Sequence, residues 1–357
     1  MKESSYPQLS DARQTMPASA TLGLTSGRAG AAVAGILRSR EALLVLVNAA
    51  IFAGLAVARP ASFLNWTNLK AVLSLMTYDL LVAVGMTTVL ILGGLDLSVG
   101  AVMALLSVVM ALLMRADVAV PLALFVGLLV AVGCGLFNGL LVTRLRLLPF
   151  LVTLGLMSLA RGLATVMTTG QYISFPSASE WFIRFGRLEI PLWHGQTMVY
   201  GLPVPLLLAL MVMALYAALL QRWVPLRQMF FVGQNPQAAA LSGLNVARVT
   251  LAGYVICTLF VWFASVLLIS ANRIGYANYG IGAEMRAIAA SVVGGASMAG
   301  GAGSIFGTFL GVLMLALIGN GFILLNGSPN WQQAAIGVVL VLAVGFDAIR
   351  TYRHRRS

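Results

Sequence analysis

Ten apolar segments, most of them close to a bilayer-spanning length, constrain the fold of this chain more than any other feature. Of its 357 residues, 60% are hydrophobic and only 9% are charged. A soluble domain needs a more charged surface, whereas about 20 apolar residues in a helix cross the hydrocarbon core of a bilayer. The sequence therefore predicts an all-α polytopic membrane protein rather than a barrel of short alternating strands. The predicted spans are 41–58, 69–92, 97–115, 119–142, 147–170, 203–221, 247–271, 287–299, 304–325 and 331–349.

Basic residues predict how the chain is oriented in the membrane. The net charge of +12 is concentrated before the first span, in two loops and at the C terminus. Loops rich in Lys and Arg are retained in the cytoplasm, so both termini are predicted to be cytoplasmic, in agreement with an even number of spans. Membrane orientation thus explains the excess of basic residues, and no nucleic-acid partner is predicted. The residues assigned to this side are Lys2, Arg13, Arg28, Arg38, Arg40, Arg144, Arg146, Arg222, Arg227, Arg248, Arg350, Arg353, Arg355 and Arg356.

The remaining composition divides the chain into three parts. Residues 1–40 are polar and lack a hydrophobic period, which predicts a disordered cytoplasmic tail. The membrane domain is predicted to cover 41–349, with a periplasmic loop at 171–202 and a cytoplasmic loop at 222–246. A short basic tail, 350–357, is predicted to be cytoplasmic.

A first glycine break interrupts the apolar pattern between the second and third segments. A carboxylate is costly at membrane depth, and irregular backbone there must be buried in protein or line a polar path. Two compatible interpretations are open: Asp96 caps the next helix in a cytoplasmic turn, or the break faces a translocation path. The residues singled out are Gly93, Gly94, Asp96, Ser98 and Gly100.

A second glycine break lies in residues 294–303 and makes the eighth segment a candidate half-helix. We assign Gly294, Gly295 and Ser297 to the path or its gate. The recurrence of Gly303, Gly307 and Gly311 at every fourth position predicts close approach of another helix. The diglycine shared with the first break is a thin indication of duplicated halves, and coincidence is the favoured explanation.

Two charges, Asp79 and Arg161, fall inside predicted spans. Such residues pair with each other or face a water-filled interior. We favour structural roles for both, and an Asp79–Arg161 ion pair is one alternative.

The cytoplasmic loop predicts a short helix. Asn235 is a suitable N-cap, Pro236 suits the first helical position, and Gly243 suits a left-handed end. The helix is either an ordinary connector or a docking element for a soluble partner, and we favour docking.

The sequence predicts no cofactor or metal site and no energy source within the chain. Its two lysines, Lys2 and Lys70, complete no phosphate-binding loop, and the two cysteines and two histidines are widely separated. Few intramembrane carboxylates remain to relay protons. A membrane subunit driven by a separate ATPase fits these observations.

Several motifs, in order, resemble the permease subunits of bacterial ABC importers for simple sugars, the ribose, xylose, galactose and autoinducer-2 group. The resemblance covers about 60–347 and places Gly233, Asn235, Pro236, Ala238, Ala239, Ser242 and Gly243 in the loop that meets the ATPase. The motifs are Gly85-Met86-Thr87 with 93–100, Pro149-Phe150-Leu151-Val152-Thr153-Leu154-Gly155 with Arg161-Gly162, Gly233-Gln234-Asn235-Pro236, Ala287-Ile288-Ala289-Ala290, the 294–307 segment and Ser328-Pro329-Asn330-Trp331-Gln332-Gln333.

This resemblance implies a non-enzymatic subunit of an inner-membrane importer that moves a ribose-like monosaccharide by alternating access. It implies a second permease copy or paralogue, ABC ATP-binding subunits that use ATP, and a periplasmic sugar-binding protein. The chain departs from the family at Asp79, a position that is normally apolar. The alternative function is an ion-coupled secondary transporter or facilitator of a small polar solute, and a membrane enzyme is disfavoured because no acid–base pair stands out.

Overall fold

The computed structural model describes residues 40–175, 180–194, 199–327 and the positions 331, 333–339, 341, 342 and 345. The two predicted tails therefore lie outside the described residues, apart from Arg40. So does much of the tenth predicted segment, whose described positions are helical. The helices are α1 (Arg40–Ala58), α2 (Pro60–Phe63), α3 (Trp66–Ile91), α4 (Val99–Arg115), α5 (Val120–Thr143), α6 (Pro149–Thr168), α7 (Glu180–Arg187), α8 (Val204–Arg222), α9 (Val224–Gln234), α10 (Pro236–Leu241), α11 (Val246–Asn272), α12 (Ala283–Val293) and α13 (Ile305–Leu324).

Seven of the described helices are long and apolar enough to cross a membrane: α1, α3, α5, α6, α8, α11 and α13. These seven coincide with predicted segments to within a few residues, so the predicted helical membrane protein is confirmed. The third segment forms α4, an apolar helix of 17 residues. The eighth forms α12, whose 11 residues extend only about 16 Å, roughly half the hydrocarbon thickness. The count of ten spans and the side of the termini stay predictions.

Helices α3 and α11 form the centre of the bundle. Every residue of α3 from Leu80 to Ile91 is buried, which is expected of a helix surrounded by other helices. Helix α11 packs on α5, α3 and α4, while α3 also contacts α8, α12 and α13. The outer helices α1, α6 and α8 bury only a small part of their apolar surface within the chain.

The two ends of the bundle differ in structure, and α8 connects them over about 28 Å. We call one the hairpin end, because α8 begins there after the antiparallel pair β2 (Glu189–His194) and β3 (Val199–Pro203). It also carries α7 and the antiparallel pair β1 (Ile173–Ser174) and β4 (Ile274–Gly275). We call the other the glycine end, because α9 and α10 lie there beside both glycine breaks. The predicted 171–202 loop is thus partly folded, with strands that the hydropathy pattern did not predict.

The predicted glycine stripe allows α12 and α13 to touch through their backbones. A Cβ atom added at Gly307 would lie 1.8 Å from the Gly294 carbonyl oxygen, and one at Gly311 would lie 2.1 Å from that of Ala290. Any larger residue must push the helices apart. Close helix packing is therefore confirmed at Gly307 and Gly311.

We predict that Gly307→Ala lowers the stability of the purified protein by about 1–3 kcal/mol, because the added methyl group overpacks a backbone contact. The midpoint of thermal unfolding in detergent, followed by size-exclusion chromatography, should fall by several degrees. The matched control is Gly162→Ala, since a Cβ atom at this helical position meets nothing within 4 Å. An unchanged midpoint for Gly307→Ala would show that the contact is not close.

Candidate functional site

The two glycine breaks, predicted separately, lie in contact with each other. The Gly301 N–H donates a hydrogen bond of 2.8 Å to the carbonyl oxygen of Ile91, the last residue of α3. A Cβ atom on Gly300 would lie 2.9 Å from the Gly93 nitrogen. Gly93 and Gly300 both have positive φ angles, +74° and +87°, which glycine adopts without strain. The chain reverses at both breaks within one small volume.

The last turn of α9, just before α10, joins the same contact. A Cβ atom on Gly233 would lie 1.8 Å from the Ile91 carbonyl oxygen, and one on Gly300 would lie 2.5 Å from the Gly233 carbonyl oxygen. We call this set of five residues, Ile91, Gly93, Gly233, Gly300 and Gly301, the glycine junction. It brings the end of α3, the end of α9 and the second break into backbone contact. The sequence indicated the three parts but gave no sign that they meet.

The short helix α10 is capped as predicted. The Asn235 side-chain oxygen accepts from the backbone N–H groups of Gln237 (3.1 Å) and Ala238 (3.0 Å). Pro236 occupies the first position, and Gly243 follows the helix with φ +84°. The predicted start and end of this helix are confirmed.

The two faces of α10 differ in exposure. Ala239 is 5% exposed and packs against the chain itself, whereas Leu241 is 91% exposed. The neighbours Ala238 and Ser242 are also exposed. Ala239 therefore seats the helix, while Leu241 is available to a partner. Our sequence reasoning missed Leu241, although it is the one large apolar side chain in this short helix.

Asp96 is fully buried in a hydrogen-bonded turn before α4. Its Oδ1 accepts from the Ser98 N–H (2.9 Å) and from the Ser98 hydroxyl (2.5 Å). The Asn138 amide of α5 donates to Ser98 Oγ (3.2 Å) and approaches Asp96 Oδ2 (3.4 Å). Ser98, not Asp96, occupies the N-cap position of α4. The carboxylate thus fixes the turn that aims α4, and Asn138 is a partner that the sequence did not indicate.

The glycines of the first break border a cavity at one end and pack on another segment of the chain at the other. Gly93 and Gly94 lie on the wall of a cavity of about 380 Å³, together with Pro149 and Tyr254. At the other end of the break, a Cβ atom on Gly100 would lie 2.2 Å from the Gly280 carbonyl oxygen. The start of α4 therefore packs on the segment that leads into α12.

The start of α1 holds the second break on both sides. Arg40 Nη2 donates to the Val292 carbonyl oxygen at 2.7 Å, and its guanidinium lies beside Gly295. Glu41 Oε1 accepts from the hydroxyl of Ser304, the N-cap of α13, also at 2.7 Å. Between these two contacts, the Ser297 hydroxyl accepts from the Ala299 N–H at 3.2 Å. Gly294 packs on Gly307, as described above.

Asp79 and Arg161, the two charges predicted to lie inside spans, do not pair with each other. Asp79 accepts two hydrogen bonds from Arg286, Nε to Oδ2 and Nη2 to Oδ1, both at 3.0 Å. Arg161 donates to the carbonyl oxygens of Tyr279 (2.8 Å) and Ala277. The alternative of an Asp79–Arg161 pair is therefore wrong. Arg286 was missed because it precedes the predicted eighth segment, although it lies inside α12.

A cavity of about 640 Å³ lies beside the Asp79–Arg286 pair. It extends from Lys70, near the start of α3, to Asp79, near the middle of that helix. The Lys70 ammonium forms an ion pair of 2.8 Å with Glu189 of β2, so this part of the wall belongs to the hairpin end. The sequence did not indicate this cavity, because its wall combines α3 with α4 and with segments more than a hundred residues away.

Comparison with known proteins identifies the family. Residues 68–344 match the family described as the permease component of the branched-chain amino acid transport system. The ribose import permease of Bacillus subtilis is 36% identical over 286 residues, covering 80% of this chain and 86% of the relative. The ribose import permease of Escherichia coli K12 is 32% identical over 327 residues, covering 92% and 98%.

A third relative carries another sugar in its name. The L-arabinose ABC transporter permease of Azospirillum brasilense is 33% identical over 317 residues, covering 87% of this chain and 88% of the relative. No solved structure matches the chain significantly. The resemblance inferred from the motifs is confirmed, and the chain belongs to the family of ABC transporter permease components.

Proposed function

We propose that this chain is the membrane-spanning permease subunit of an ATP-driven ABC importer that carries a ribose-like monosaccharide across the bacterial inner membrane by alternating access. The sugar class rests on the ribose and L-arabinose permeases among its relatives. The observation that carries the coupling mechanism is the glycine junction, where the end of α9, directly before α10, contacts the end of α3 and the second glycine break. The chain itself binds no cofactor in this proposal, and its partner uses ATP.

The glycine end is the cytoplasmic end in this proposal. Helix α10, with Leu241 exposed, docks on an ABC ATP-binding subunit, and the positive-inside distribution of charge supports this orientation. The hairpin end then faces the periplasm and receives a sugar-binding protein. A second permease copy or paralogue completes the transporter.

The proposed coupling runs through backbone rather than through side chains. Gly233 touches the Ile91 carbonyl group at the end of α3, and Gly300 touches Gly233. Glycine backbones in direct contact leave little space to absorb a displacement, because interiors are close-packed. A shift of α10 on ATP binding therefore moves the end of α3 and the second break together. This movement favours one of the two arrangements between which the transporter alternates.

The residues proposed to form the gate are those of the two breaks. Gly93 and Gly94 border a cavity at the cytoplasmic end, while Asp96 and Ser98 orient α4. In the second break, Gly294, Gly295 and Ser297 connect α12 to α13, and Arg40 and Glu41 hold them in place. Rearrangement of these short connections is less costly than bending an intact helix within the bilayer.

Replacement of Leu241 tests the docking face. We predict that Leu241→Arg lowers ATP-dependent sugar uptake about tenfold or more, since an apolar interface anchor becomes a charge. Uptake of radiolabelled ribose, L-arabinose and galactose is measured in proteoliposomes that contain the complete transporter. The matched control Leu241→Met keeps an apolar side chain and should retain uptake.

Two outcomes would contradict this docking proposal. Normal uptake by Leu241→Arg would exclude Leu241 as a contact. Sugar flux through the permease reconstituted alone would instead favour the facilitator alternative.

Asp96 is tested by removing its charge while keeping its shape. We predict that Asp96→Asn still folds, because Oδ1 keeps both hydrogen bonds from Ser98 and only the 3.4 Å contact of the second carboxylate oxygen with the Asn138 amide is lost. If the carboxylate takes part in gating, uptake falls in this variant while expression and thermal midpoint stay unchanged. Full uptake by Asp96→Asn would exclude a role for the charge.

The control for this test is Asp96→Ala, which leaves buried donors of Ser98 without an acceptor. We expect it to cost about 1–3 kcal/mol for each such donor and to lower the thermal midpoint. A stable Asp96→Ala protein would show that the turn does not depend on this side chain.

A further inference from the structure

We infer that the 640 Å³ cavity at the hairpin end binds one neutral sugar within a single permease subunit. This inference rests on the proposed function and adds to it a solute site inside the subunit. The volume lies within the range of 300–1,000 Å³ that is usual for small-molecule sites. Its wall combines charged, hydroxyl and aromatic groups with apolar side chains such as Leu75 and Leu268, a combination that suits the C–H faces and the hydroxyl groups of a sugar.

The floor of the cavity supplies directional hydrogen-bond acceptors. The Asp79 carboxylate receives two hydrogen bonds from Arg286, but a carboxylate has about four lone-pair sites. Its side chain is 21% exposed, so the remaining sites are accessible from the cavity. The ion pair also holds the carboxylate in one orientation, and a fixed acceptor binds a hydroxyl group at a lower entropic cost.

Two tyrosines and a serine extend the wall above this floor. Tyr78 and Tyr279 are half-buried, and both line the cavity beside Asp79. Aromatic rings offer an apolar face together with a polar tip, which suits a solute with C–H faces and hydroxyl edges. The hydroxyl group of Ser74 lies one helical turn nearer the hairpin end, on the same wall.

The charges on the wall favour a neutral solute. Asp79 pairs with Arg286, and Lys70 pairs with Glu189. Arg187, also on the wall, donates its Nε–H to the Ala271 carbonyl oxygen at 2.8 Å. A cation would add to the net positive charge of this wall, and an anion could pair only with Arg187, at an exposed position, unless it broke one of the two ion pairs. A neutral polyhydroxylated solute only completes hydrogen bonds.

The position of the cavity links its occupancy to the glycine junction. Arg286, at the floor, belongs to α12, and α12 continues directly into the second break. A sugar bound against the ion pair therefore contacts the helix that leads to Gly300 and Gly301. Binding at the hairpin end and rearrangement at the glycine end share this one short helix.

The test fills the cavity without removing an interaction. Ser74 makes no hydrogen bond to another described residue, so Ser74→Phe adds bulk to the cavity and breaks no contact. We expect uptake of ribose, L-arabinose or galactose, whichever the complete transporter carries, to fall about tenfold or more because the solute is displaced. The matched control is Ala71→Phe on the same helix, at an exposed position that does not line the cavity. It should retain uptake.

A second measurement detects the solute in the cavity directly. In Ser74→Cys, a membrane-impermeant thiol reagent added from outside should react at residue 74, which lines the cavity, and not at the native Cys134 and Cys257, which are buried. The transported sugar should slow this reaction several-fold in the complete transporter, whereas a charged analogue such as ribose 5-phosphate should not. In Ala71→Cys, the sugar should have no effect on the reaction.

The outcomes separate this inference from the proposed function. If Ser74→Phe retains full uptake, or if the transported sugar leaves the reaction at Ser74→Cys unchanged, the cavity is not a solute site, although the importer proposal stands. If the unaltered complete transporter takes up none of the three sugars, the proposed sugar class fails first. Protection by the phosphorylated analogue as well would overturn the preference for a neutral solute.

Discussion

The hydrogen bond from Gly301 to the Ile91 carbonyl group is the contact on which the rest of the structure depends. It ends the central helix α3 against the second break, and Gly233 packs on the same carbonyl oxygen. A backbone carbonyl group at a helix end needs a partner when it is buried. Here a segment two hundred residues away supplies that partner, and the absence of side chains at the glycines makes room for the approach. Three segments are thereby fixed at one point.

Much of the fold follows from local sequence patterns. The apolar segments give the long helices, since each satisfies its own backbone and buries an apolar surface. The ends of α10 follow from Asn235, Pro236 and Gly243, because capping involves residues within one helical turn. The close packing at Gly307 follows from a spacing of four residues, which aligns small residues on one helix face.

The site is less predictable because its contacts join distant parts of the chain. Asp79 pairs with Arg286, 207 residues later, and hydropathy placed that arginine outside a span. Asn138 reaches Asp96 from another helix, and Leu241 is functional in our proposal only because Ala239 faces inward. Periodicity reports which residues avoid water, but it does not report which of them meet. Strands β1 and β4 have two residues each, which is too short to show an alternating pattern.

Arg40 and Glu41 connect the beginning of α1 to the second glycine break. These two residues form hydrogen bonds on both sides of the second break, so the first helix of the bundle also stabilises the connection between α12 and α13. A substitution at Arg40 or Glu41 would therefore alter this distant connection directly, because it removes a hydrogen bond to Val292 or to Ser304.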